Sequence, residues 1–94
     1  MEPWPFADPP NVAVFTSWRI LDGKEWISYV AHDEEDGAWQ FLPKSGASME
    51  EAALVLLKEI VDRDPSVKSL ADLPFGWCAW REEKDQPWQR TKKE

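Results

Sequence analysis

The chain has 94 residues, 43% of them hydrophobic and seven of them Trp, which suffices for one small core and excludes two. With 11 basic against 18 acidic residues the formal net charge is −7. That sign argues against nucleic acid and against an anionic membrane surface, and makes a basic protein the natural electrostatic complement.

Residues 1–11 contain Pro3, Pro5, Pro9 and Pro10. Each proline fixes φ, lacks a donor and pushes its predecessor out of the helical region, so an extended arm is expected. Without a basic start or a continuous apolar stretch, the arm does not read as a signal peptide. Its Trp4 and Phe6 are too apolar for a plain linker, and packing against the chain's own core is the expectation. No apolar run approaches the roughly 18 residues that span a bilayer.

Residues 12–42 read as a meander of three antiparallel strands, at 12–20, 26–32 and 38–42. They are rich in β-branched and aromatic side chains and divided by Asp22-Gly23 and by the acidic turn Asp33, Glu34, Glu35, Asp36, Gly37. In the third strand Trp39 and Phe41 share a face and are the best core candidates. Ser48-Met49-Glu50-Glu51 has the form of a capping box, which predicts a helix over 49–62 burying Met49, Ala53, Leu56, Leu57 and Ile60. Asp64-Pro65 reads as cap and first position of a short second helix reaching residue 70 or 71. Residues 75–81 look like a fourth strand, and 82–94 like a polar tail. The expected architecture is α+β: an antiparallel sheet of about four strands in the order β-β-β-α-β, with one main helix on one face. The divisions are an arm at 1–11, one domain at 12–81 and a tail at 82–94.

Chemistry is sparse. The single Cys78 rules out an internal disulfide and a CxxC pair, which points to the cytoplasm. Cys78 and His32, the only Cys and the only His, form the sole candidate thiol–imidazole pair, and a lone Cys usually behaves as a small hydrophobe. The four acids at 33–36 lack the spaced ligands of a calcium loop and fit a hairpin turn, so no metal is expected. Gly23, Gly37, Gly46 and Gly76 are scattered and build no phosphate loop. No catalytic residue, cofactor or metal site is therefore assigned, and the chain reads as a non-enzyme. The partner-binding candidates are Asp33, Glu34, Glu35 and Asp36 as an acidic tip, with Trp77, Trp80 and Trp88 as aromatic contacts.

The segments YVAHDEEDGAWQFL (29–42) and EIVDRDPSVKSLADLPFGWCAWR (59–81), with the trailing Pro87-Trp88, resemble a group of small bacterial proteins of unassigned function. Some of these are grouped with immunity-type proteins. The resemblance implies no catalytic residues and suggests a protein that binds and blocks a partner. The expected function is thus a small acidic cytoplasmic interaction module for a basic partner such as a toxin domain. The alternative is a small-ligand binder using exposed tryptophans.

Overall fold

A computed structural model describes residues 3–46 and 48–93. The architecture is α+β, with six strands in one mixed sheet. In chain order they are β1 Ala13–Ser17, β2 Ile27–His32, β3 Trp39–Pro43, β4 Ala52–Leu56, β5 Trp77–Trp80 and β6 Gln89–Lys92. Two short helices, α1 Trp18–Leu21 and α2 Leu57–Arg63, and a 3-10 segment at Pro65–Leu70 complete the main framework. The spatial order is β4-β1-β3-β2-β5-β6. Among the described residues, the β1–β3 contact alone is parallel.

The sheet differs from the expected four-stranded meander in three places. First, the strand read over 12–20 stops at Ser17, whose hydroxyl accepts from the Arg19 backbone N–H at 3.2 Å and starts α1. Asp22-Gly23 still turns the chain, with Gly23 at φ +80°, but it follows a helix and joins no hairpin. β1 is therefore free to lie parallel beside β3, pairing Phe15 with Gln40.

Second, the helix read over 49–62 forms only in its second half. The Ser48 side chain makes no capping bond, and Met49–Glu51 is a single 3-10 turn. Residues 52–56 then form β4, antiparallel to β1 from Ala13–Leu56 through Ser17–Ala52. Five consecutive apolar residues carry no helical period, and pairing with a neighbouring strand decides their conformation. Third, the polar tail supplies β6, which pairs with β5 from Trp77–Lys92 to Trp80–Gln89.

Other readings hold. β2 and β3 form the hairpin around the acidic turn, and Asp64 caps the Pro65–Leu70 segment by accepting from the Ser66 N–H at 3.0 Å. Gly37 sits at φ +71°, where a Cβ would lie 3.3 Å from the Phe75 ring, so only glycine fits that turn without strain.

One face of the sheet, carrying Val14, Val30, Trp39, Phe41 and Ala79, is buried with Leu57, Ile60 and Val61 of α2 and with Val67, Leu70 and Leu73. The arm closes this layer. Phe6 is buried and meets Trp39 edge to face at 5.3 Å, and the Trp39 indole N–H donates to Asp8 Oδ2 at 2.8 Å. Among the described residues, no helix is long and apolar enough to cross a membrane.

Candidate functional site

Side chains alternate along each strand, so burying Val14, Phe41, Val30 and Ala79 turns their neighbours to the opposite face. The register assembles these neighbours into two rows. One runs Leu54, Phe15, Gln40, Ala31, Cys78, Thr91, and the other Leu42, Tyr29, Trp80, Gln89. Ala31 and Cys78 are small and buried, while Phe15, Leu54 and Trp80 are 43%, 62% and 41% exposed. Among the described residues, no element covers this face.

An apolar depression lies where Phe15 and Leu42 meet Met49 and Ala52, and a second where Tyr29 and Leu42 meet Trp80. Their edges carry ion pairs. Lys44 meets Glu82 at 3.6 Å beside Trp80, and Lys93 meets Asp33 at 3.3 Å at the other end of the strands. Arg19 pairs with Glu51 beyond β1. These pairs are largely solvated and add little stability. At the centre, burial foremost, and then the adjoining Cys78 thiol, pushes the Tyr29 phenol up to about 12.

The residues singled out in the sequence are distributed differently. Asp33 is tied into the fold, accepting from the Gln40 side-chain amide at 2.8 Å as well as from Lys93. Asp36 accepts from the Ala38 N–H at 3.0 Å and shapes the turn, while Glu34 and Glu35 are exposed. Among the described residues, no group of three or more His, Cys, Asp or Glu side chains is placed to hold a metal ion.

The three tryptophans do not converge. Trp80 lies on the open face, whereas Trp77 packs against the core on the other. Trp88 stacks over the Arg81 guanidinium at 4.2 Å and donates to Ser66 Oγ at 3.2 Å. Cys78 and His32 are likewise separated, because Cys78 pairs with Ala31 on the open face and His32 pairs with Trp77 on the core face. The His32 ring stacks on Trp39 at 3.9 Å, and its Nδ1 bonds the Leu73 carbonyl at 2.7 Å.

Phe15, Tyr29, Leu42 and Leu54 were not legible as a surface. Each sits in an apolar stretch that reads as core until the strand order fixes which face is closed. Comparison of the chain with family models, curated proteins and solved structures returned no match.

Proposed function

We propose that the chain is a non-enzymatic interaction module that docks a basic protein partner on the open face of its sheet. The observation that carries this reading is the apolar centre of that face, with Phe15, Leu54 and Trp80 left in solvent while the opposite face is closed. A contiguous apolar patch with a charged border has the anatomy of a protein interface, in which an aromatic anchor supplies much of the affinity.

Charge selects the partner's sign. The chain carries −7, and Glu34 and Glu35 at the β2–β3 tip and Glu50 before β4 are exposed at the strand ends. A partner with an apolar patch bordered by Lys and Arg complements this arrangement. A toxin domain, as the family resemblance suggests, is one such protein.

The test is affinity purification from the encoding organism with two baits, the wild type and a Leu54→Ser/Trp80→Ala variant of verified fold. A stoichiometric basic protein held by the wild type and released by the variant is the expected result. Equal retention by both baits, recovery of no partner, or a homodimer that the variant abolishes would overturn the reading.

A further inference from the structure

On the helical side of the molecule lies a cleft of about 370 Å3 between the Asp22-Gly23 turn, the end of α2 and the loop after β5. That volume falls within the roughly 300 to 1,000 Å3 typical of small-molecule sites. Buried Ile20 and Ile27 form its base beside the half-buried indole of Trp26.

Three cations, Lys24, Arg63 and Lys84, line the cleft. Two acids line it as well, Asp64 paired with Arg81 and Glu25 sharing Arg19 with Glu51. Glu25 accepts from Arg19 at 3.5 Å and from the Ser45 hydroxyl at 2.9 Å. Asp64 accepts from Arg81 at 2.5 Å and from the Ser66 N–H and hydroxyl at 3.0 and 2.7 Å. Among the described residues, Lys24, Arg63 and Lys84 enter no ion pair. The Arg63 Nη1 donates to the Ile20 carbonyl at 3.4 Å, which anchors the guanidinium at the wall with further N–H groups to spare. The lining thus sets three cations against two carboxylates, a local excess of positive charge on a chain of net charge −7.

We infer that this cleft binds a small phosphorylated molecule carrying a flat ring. A phosphate monoester brings a charge of about −1.5 to −2 and three acceptor oxygens, enough to engage several cations at once, and an Arg fork matches it in two-pronged geometry. The ring would lie against Trp26, where aromatic faces stack. A carboxylate, with a single charge, would leave most of the cationic wall unmatched.

The test uses four probes in titration calorimetry: adenosine monophosphate, phenyl phosphate, adenosine and inorganic phosphate. The readout is repeated with the ¹⁵N-labelled protein, following the Trp26 indole resonance. Saturable binding is expected for one or both of the ring phosphates, and comparison of the two separates a nucleotide from an aryl phosphate. Adenosine and inorganic phosphate should each bind at least about tenfold more weakly, and a Lys24→Gln/Arg63→Gln variant should lose at least about tenfold in affinity. The Trp26 resonance should shift in the wild type. Failure of both ring phosphates to bind at millimolar concentration would overturn the assignment. So would inorganic phosphate binding as tightly, or full affinity in the double variant.

Discussion

Arg81 and Asp64 meet at 2.5 Å where β5 ends and the Pro65–Leu70 segment begins, with the guanidinium buried and the carboxylate nearly so. The same guanidinium donates twice to the Ile27 carbonyl, at 3.0 and 2.8 Å, and once to Ser66 Oγ at 3.0 Å, while the rings of Trp88 and Trp26 lie at 4.2 and 5.6 Å. One side chain thus joins the start of β2, the capped 3-10 segment and the chain beyond β5. Removing it takes the cation from the Asp64 carboxylate, which keeps only its Ser66 bonds, and two donors from the Ile27 carbonyl.

Arg81→Met should therefore cost about 3 to 5 kcal/mol, the range for leaving half of a buried ion pair unpartnered. Arg81→Lys should recover only part of this, because an ammonium cannot reproduce the planar fork that reaches three acceptors. Adding Asp64→Asn to Arg81→Met should cost less than the two changes summed. Urea denaturation of the four variants checks this, and a loss below about 1 kcal/mol for Arg81→Met would show that the pair is not structural.

The same carboxylate makes stability depend on acid. Burial alone would raise the Asp64 pKa, but the Ser66 hydrogen bonds and Arg81 outweigh it and hold the group below its ordinary 3.8. The unfolded chain then takes up the proton first as pH falls, so this contribution is present above about pH 4 and lost as pH falls through the lower, folded value. Denaturation midpoints measured stepwise from pH 5 downward should drop more steeply in the wild type than in Asp64→Asn.

Tyr29 gives the opposite test at high pH. It is the chain's only Tyr, so tyrosinate absorbance reports this one phenol. Ionisation should centre near pH 12, rather than at the ordinary 10.0, and Cys78→Ala should lower it by removing the side chain that, after burial, does most to raise it. Because the unfolded phenol loses its proton first, folding stability should decline as pH rises above about 10.

Core substitutions separate β4 from the helix its sequence suggests. Leu57 and Ile60 are fully buried, so changing either to Ala should cost about 2 to 5 kcal/mol, and Trp39→Ala about 3 to 5 kcal/mol. Leu56 is only half-buried at the junction of β4 and α2, and Leu56→Ala should cost less than about 2 kcal/mol. Comparable losses at Leu56 and Leu57 in thermal denaturation would place Leu56 back on a buried helix face.

The sequence made the hairpin around residues 33–37, the Asp64 cap and the burial of Trp39 and Phe41 legible, because each rests on chemistry local to a few residues. Strand order was not legible. Nothing local distinguishes a β1 that pairs with β2 from one that passes it to lie beside β3, and the Ser17 cap that ends β1 is a single hydroxyl within a β-rich run. Ser48 and Glu51 have the spacing of a capping box, yet the bond does not form once residues 52–56 find β1 as a partner. β6 was invisible for a different reason: Gln89, Arg90, Thr91 and Lys92 are all exposed, so no apolar alternation marks them. The open face depends on all of these and could not be seen before them.

The acidic tip should act on encounter rather than on folding. Asp33 and Asp36 have structural bonds, so the informative change is Glu34→Gln/Glu35→Gln. Surface-plasmon kinetics on the purified partner should show a slower association, a weaker salt dependence and an almost unchanged dissociation rate. An on-rate indifferent to salt and to both substitutions would reduce these residues to a solvated turn.

The docking claim rests most directly on Trp80, an aromatic ring that, like Phe15, the open face leaves in solvent. Calorimetric titration of the recovered partner against the wild type, Trp80→Ala and Glu59→Gln compares the open face with the exposed side of α2. The account predicts at least about a tenfold loss of affinity for Trp80→Ala, as for a central interface aromatic, and none for Glu59→Gln. Full affinity in Trp80→Ala with a loss in Glu59→Gln would contradict it, and would move the interface to the helical side of the molecule.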